Sequence, residues 1–181
     1  MGVTRRAHQS RGDVGAAFRK RGISMKVKDV TVTDEFGEIV QIGIVVPDLE
    51  KAKKGLLDVF GLEPDAGGES LYKDCIYKGS DEPIDAPVLA AFYNFFNIQL
   101  ELLQPIGDQD TVWSDYLKMG QSGLHHIRFD VDDQDRANQL MADKGIGIWM
   151  EGHSLINPEA RFTYYDSIDK LGYIVEAVTR V

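Results

Sequence analysis

The chain has one cysteine, Cys75, among 181 residues. A single thiol excludes an internal disulfide framework and a cysteine-rich zinc site, and it suits a reducing compartment. Cys75 itself reads as a partly buried small side chain. Long apolar runs are missing too: no stretch approaches the roughly 18–20 residues that a membrane helix needs, so no membrane span is expected. Positive charge is scarce in most of the chain. Residues 1–28 hold eight Lys and Arg against Asp13 alone, which leaves the rest sixteen charges negative within a net charge of −9. An acidic body repels phosphate backbones, so nucleic acid is not an expected partner of the fold. The basic head lacks the apolar core of a secretory signal. It is Arg-rich and acid-poor, as a transit peptide is, but the favoured expectation is a flexible tail over residues 1–37 or a start at Met25. A cytoplasmic protein is expected.

What is present is the profile of a soluble globular protein, 43% hydrophobic and 27% charged, with room for one domain or two small fused modules. Its main feature is a repeat. Gln41-Ile42-Gly43-Ile44-Val45-Val46-Pro47-Asp48 and His126-Ile127-Arg128-Phe129-Asp130-Val131-Asp132-Asp133 begin 85 positions apart. Each starts with a side chain able to bind a metal, alternates as a strand does, and reaches an Asp before a helical pattern. Asp48 and Asp133 are the expected N-caps; Gly61 and Gly145 are the expected stops.

The remaining pattern gives short strands near 71–78, 88–96 and 98–104. Gly67-Gly68 and residues 79–87 read as loops, and a connecting helix fits 111–119. The second copy continues with strands near 124–131, 146–150, 160–166 and 172–179. The expected fold is α+β: two βαβββ modules, 38–107 and 123–181, joined by a linker over 108–122 with a short helix. Together they make a curved, eight-stranded half-barrel arrangement with helices outside.

Alternation puts Gln41, Gly43 and Val45 on one face of the first strand, and His126, Arg128 and Asp130 on the matching face of its counterpart. The last strand of each copy carries one carboxylate in an apolar run, Glu101 and Glu176. A carboxylate inside a half-buried strand is costly unless paired or coordinated, and two at equivalent places call for a common cause. Gln41, Glu101, His126 and Glu176 would offer an amide oxygen, two carboxylates and an imidazole to one divalent ion: Zn, Ni, Co, Mn or Mg. Arg128 shares the face of His126 and would grip a substrate carboxylate or phosphate, or else pair with Asp130. His125 points the other way, as a packed residue or a support for His126.

Four segments in order resemble the glyoxalase/bleomycin-resistance/extradiol-dioxygenase group, the vicinal oxygen chelate superfamily. They are the stretch from Gln41 to Ala52, Glu101-Leu102-Leu103-Gln104-Pro105, Gly123-Leu124-His125-His126-Ile127, and Gly172-Tyr173-Ile174-Val175-Glu176, and the resemblance covers about 39–180. The second and third resemble methylmalonyl-CoA epimerases, although those begin the first strand with His where this chain has Gln41. The ligand set Gln/Glu/His/Glu resembles glyoxalase I, the lactoylglutathione lyase. The resemblance implies a metal-dependent lyase or isomerase that removes a proton α to a carbonyl and stabilises the enediolate at the metal. Glu176 is then the base, with Glu101 its counterpart across the substrate. It also implies a small-molecule substrate, a thiol hemithioacetal or an acyl-CoA thioester, and a homodimer. Two rivals exist within the group. An extradiol Fe(II) dioxygenase needs a second His where Gln41 stands, and a metal-free binding protein has no need of all four ligands.

Overall fold

The computed structural model describes residues 35–155 and 157–179. The expected tail, up to residue 34, and the alternative start at Met25 lie outside the described residues. The fold begins earlier than expected, because β1 (Phe36–Val45) already includes Phe36 and Gly37. The Phe36 ring explains this: it packs edge-on against Phe129 with centroids 5.7 Å apart, and lies 6.3 Å from Tyr165.

The order continues with α1 (Leu49–Phe60), β2 (Ala66–Tyr77), β3 (Ile84–Phe95), β4 (Ile98–Pro105) and α2 (Val112–Lys118). After it come β5 (Gly123–Val131), α3 (Gln134–Asp143), β6 (Ile148–His153), β7 (Arg161–Tyr165), α4 (Ile168–Leu171) and β8 (Ile174–Thr179). The class is α+β, as expected, with eight strands in one mixed sheet. That sheet closes in the order β1-β4-β3-β2-β6-β7-β8-β5, with β1 and β5 paired antiparallel.

The helix ends follow local chemistry. Asp48 accepts the Lys51 N–H at 2.9 Å, and Asp133 accepts those of Asp135 and Arg136 at 3.0 Å each. These side chains satisfy N–H groups that the first turn leaves unpaired. Gly61 ends α1 in the left-handed conformation, returning its N–H to the Leu56 and Leu57 carbonyls, a geometry that favours glycine.

Three stretches differ from the sequence reading. Residues 84–87, read as the end of a loop, already belong to β3. Gly67-Gly68 belongs to a 12-residue β2 rather than to a loop. A Cβ on Gly67 would stand 2.4 Å from the Ala90 carbonyl oxygen, so this glycine permits close strand pairing. The linker helix, too, is more than a connection. Val112, Trp113 and Tyr116 of α2 are buried in the same cluster as Val45, Leu103, Met150 and Ile174. A second cluster sits under α1 and a third under α3. No described helix is long and apolar enough to cross a membrane.

Cys75 is fully buried in the first cluster, and burial pushes its thiol up to about 12. At pH 8 that leaves a thiolate fraction of about 10⁻⁴, against roughly a quarter for an ordinary thiol. Native protein should therefore label with a disulfide reagent about 10³-fold more slowly than urea-unfolded protein, and rapid labelling under native conditions would contradict this packing.

Candidate active site

The register of four neighbouring strands builds the site. β1 against β5 pairs Gly43 with His126 and Gln41 with Arg128. β4 beside β1 puts Glu101 opposite Gly43 and Gln99 opposite Gln41. β8 beside β5 puts Glu176 opposite Arg128 and Ile174 opposite His126, and β7 adds Tyr164 opposite Glu176. Two rows of side chains result: Gln99, Gln41, Arg128, Glu176, Tyr164, and below them Glu101, Gly43, His126, Ile174. Glu101 begins the second row, on β4, and Glu176 stands next to last in the first, on β8.

His126 takes the place of a side chain that Gly43 lacks. A Cβ at Gly43 would lie 1.8–2.2 Å from three ring atoms of His126, so the imidazole fits only because that position is glycine. The ring is fully buried, and its Nε2 lies 3.3 Å from Glu101 Oε2 and 3.3 Å from Glu176 Oε2. Gln41 is buried beside them; its Nε2 donates to Gln99 Oε1 at 2.6 Å. That bond leaves the amide oxygen of Gln41 as the group available to the site. Gln41, Glu101, Glu176 and Arg128 all line one cavity of about 260 Å³. The structure thus brings all five sequence-predicted site residues to one place.

Hydrogen bonding orients the imidazole. His125 Nε2 lies 3.4 Å from the Val112 carbonyl oxygen, and His125 Nδ1 lies 2.9 Å from His126 Nδ1. A carbonyl can only accept, so His125 Nε2 carries a hydrogen. Burial, with His126 alongside, pushes the His125 pKa well down, and the neutral ring accepts at Nδ1. His126 Nδ1 therefore donates, and in the neutral ring the Nε2 lone pair faces two carboxylates. This places His125 behind His126 as its tautomer-fixing partner, the arrangement that supports metal-ligating histidines.

Three electron-rich groups facing one another need a positive charge between them. Neither carboxylate meets Nε2 in hydrogen-bonding geometry, and Nε2 and Glu176 Oε2 are both buried without a hydrogen-bond partner. A proton on Nε2 would be poorly shared at these positions, whereas a cation accepts donors from several directions. Bonds of about 2.0–2.2 Å put neighbouring donors roughly 3.0–3.4 Å apart, which agrees with the two 3.3 Å separations. The oxygen-rich set therefore fits a divalent ion chemically. In the conformation described, the donors surround the imidazole nitrogen, and no group of three or more His, Cys, Asp or Glu among the described residues is already closed around a common ion position.

The surroundings tune Glu176. Burial raises its pKa and Glu101 pushes the same way, while His126, Arg128 and a hydrogen bond from Tyr164 pull it down. Sequence reasoning missed Tyr164, Tyr72, Gln99 and the Val112 carbonyl. Gln99 was within reach, since it precedes Glu101 by two on the same strand face. Tyr164 and Val112 reach the site only through tertiary packing.

Comparisons with known proteins give the family and the fold. Residues 40–164 match the model of the Glyoxalase/Bleomycin resistance protein/Dioxygenase superfamily. The mitochondrial methylmalonyl-CoA epimerase of Bos taurus is 28% identical over 118 residues, 64% of this chain and 58% of that protein. The ethylmalonyl-CoA/methylmalonyl-CoA epimerase of Cereibacter sphaeroides is 27% identical over 69% of this chain and 84% of its own. The chain thus spans less than two thirds of the cattle protein but most of the bacterial one. Among solved structures, a methylmalonyl-CoA epimerase in complex with methylmalonyl-CoA and NH4+ superposes with a TM-score of 0.56 at 21% identity, covering 81% of this chain and 96% of that one. The methylmalonyl-CoA epimerase of Mycobacterium tuberculosis superposes with a TM-score of 0.55 at 18% identity, covering 81% and 89%. With a family model that matches well over half of its length, on the strands that carry Gln41, Glu101 and His126, this chain belongs to the glyoxalase/bleomycin resistance protein/dioxygenase superfamily.

Proposed function

We propose that the protein is a divalent-metal-dependent epimerase of an acyl-CoA thioester, of the methylmalonyl-CoA epimerase type. The observation that carries this reading is the His126 lone pair set between two buried carboxylates, a cluster that requires a cation. Gln41, Glu101, His126 and Glu176 would hold the ion, one of Zn, Ni, Co, Mn or Mg. When bound, such an ion supplies electrostatic stabilisation for an oxyanion developing on a carbonyl oxygen.

The chain's own residues do the rest. Glu176 takes the proton α to the thioester carbonyl; burial, which raises its pKa, favours a carboxylate that accepts a proton near neutrality. Tyr164 holds the Glu176 side chain by a hydrogen bond. Glu101, the second carboxyl at 3.3 Å from His126 Nε2, would deliver its own proton to the opposite face while Glu176 keeps the one it removed, which inverts the carbon. Phe92, Phe162 and Val178 give the cavity wall an apolar part. Epimerase relatives in the sequence comparison support the thioester substrate. The second reading, a lactoylglutathione lyase, is favoured by one feature, the Gln/Glu/His/Glu donor set.

Solvent deuterium exchange separates the two. Metal-loaded protein should introduce deuterium at C2 of methylmalonyl-CoA as it epimerises; label in the product of methylglyoxal with glutathione would favour the lyase, and label in neither would refute both. Glu176→Gln should lower the exchange rate by about 10²- to 10⁴-fold, with metal content measured alongside to separate loss of base from loss of ligand. A second variant tests the seat of the imidazole. Gly43→Ala forces the His126 ring aside, at a cost of roughly 1–3 kcal/mol of stability, and should reduce metal affinity at least tenfold while the far-ultraviolet circular dichroism stays unchanged. Wild-type metal binding in Gly43→Ala would show that the ring does not depend on this gap.

A further inference from the structure

In the closed sheet β2 lies as far from β5 as a strand can, by way of β3, β4 and β1 on one side or of β6, β7 and β8 on the other. β2 is therefore the wall opposite the strand that carries His126. Ser70 and Tyr72 line the cavity from this wall, two residues apart as alternation requires. Cys75 also faces inward, into the core, although it follows Tyr72 by three. Strict alternation would turn one of them out. The register of β2 against β3 shifts between Tyr72 and Cys75, and Asp74 there has a φ of 54°. These are the marks of a β-bulge, which re-aims the side chains beside it. The chain thus accepts a left-handed Asp that keeps the phenol in the cavity and the thiol in the core.

The Tyr72 ring is fixed while its hydroxyl is free. The ring centroid lies 5.5 Å from that of Trp113 and, edge-on, 5.5 Å from that of Phe162. No hydrogen bond holds the hydroxyl among the described residues, and its oxygen is not one of the buried atoms shut in without a partner. It therefore opens on the cavity. Tyr164 differs, because its hydroxyl is already engaged by Glu176. Burial raises the Tyr72 pKa, and the charges of Glu101 and Glu176 raise it further, against a smaller pull from Arg128. The phenol stays protonated and feels both carboxylates from across the cavity. Water can satisfy this donor in an open cavity. A molecule that displaces the water must bring an acceptor or leave the donor unpaired.

We propose that Tyr72 donates a hydrogen bond to the substrate oxygen that becomes negative as Glu176 removes the α proton. The inference rests on the epimerase reading above. In that step the C–H bond breaks, the proton stays on Glu176, and the electron pair spreads onto the carbonyl oxygen. The phenol transfers no proton. Its hydrogen bond strengthens as the acceptor changes from a neutral oxygen to an anionic one. A donor already in place, which gains strength only as charge develops, lowers the barrier more than it tightens substrate binding. The substrate is then gripped from two walls, with His126 on one and the Tyr72 hydroxyl on the other.

Tyr72→Phe removes one oxygen and keeps the ring between Trp113 and Phe162. The metal-loaded variant should exchange the C2 hydrogen of methylmalonyl-CoA with a kcat about 10²- to 10³-fold lower, the effect of losing one oxyanion donor. KM should change by less than about threefold, because the bond is made mainly in the transition state. An undiminished kcat, or a loss carried by KM alone, overturns the proposal. Two ligands that do not react separate charge recognition from packing. By calorimetry, oxalate, a planar dianion standing in for an enolate, should bind metal-loaded wild type at least about tenfold more tightly than Tyr72→Phe, as a hydrogen bond to a charged group would give. The thioester 2,2-dimethylmalonyl-CoA, which has no α hydrogen to lose, should bind both equally. Equal oxalate affinity overturns the proposal. A matching drop for both ligands overturns it too, since that marks a disturbed wall. If the wild type leaves methylmalonyl-CoA unexchanged, the epimerase reading fails, and the oxalate comparison still decides whether Tyr72 donates to an anionic oxygen.

Discussion

The structure of the site depends on one imidazole held in one gap. His126 lies where Gly43 has no side chain, between two carboxylates, with its tautomer fixed from behind by His125. Each part constrains the next. The carbonyl that directs His125 belongs to Val112, so the plugging helix α2 must dock before the lone pair of His126 is aimed. Tyr116 of the same helix donates to the Leu124 carbonyl and packs edge-on against His125, 4.9 Å between centroids. A segment that reads as a linker therefore helps set the electrostatics of the site.

The same arrangement explains why two similar copies make one site rather than two. The antiparallel pairing of β1 and β5 brings Gln41 beside Arg128 and Gly43 beside His126. In the repeat, Gln41 corresponds to His126 and Gly43 to Arg128. Two identical copies would set an imidazole against an arginine at both of these places and leave no gap for the ring. The glycine in the first copy admits the histidine of the second, and the amide in the first copy sits beside the guanidinium of the second. Glu101 and Glu176 keep equivalent register positions, so the two carboxylates stay symmetric while the residues between them do not. The proposed inversion would use that combination: equivalent carboxylates beside an asymmetric set of substrate-facing groups.

How much of this could be read from the sequence follows from what each interaction depends on. Strand alternation and the two Asp caps are local, and they placed Gln41, Glu101, His126, Arg128 and Glu176 on inward faces without reference to any partner. The strand limits at Phe36 and Gly67 were missed because tertiary packing sets them: an aromatic cluster at one, a close backbone approach at the other. His125 was correctly turned away from the cavity by alternation. Its use of Nδ1 against His126 was out of reach, because that depends on a carbonyl 13 positions earlier. Arg128 was left between two roles, and the structure shows why: one nitrogen meets Asp130 while another stays buried and unpaired.

Charge in the cavity links the ion to the substrate. Its lining sets three carboxylates, Asp65, Glu101 and Glu176, against the single guanidinium of Arg128, within a chain whose net charge is −9. With those acids ionised, the wall would repel an anionic thioester, and Arg128 alone could not offset the repulsion at the short distances and low dielectric of a buried site. A divalent ion would bring the lining to formal neutrality and let the guanidinium act as a local attraction within a balanced field. Ion and arginine then have separate tasks. On the proposed reading, an ion held by Gln41, Glu101, His126 and Glu176 would relieve the repulsion around the His126 lone pair. Arg128, one strand pair from that cluster, would remain as the one positive side chain among the described lining residues, so an anion entering a neutralised cavity would be drawn to its side.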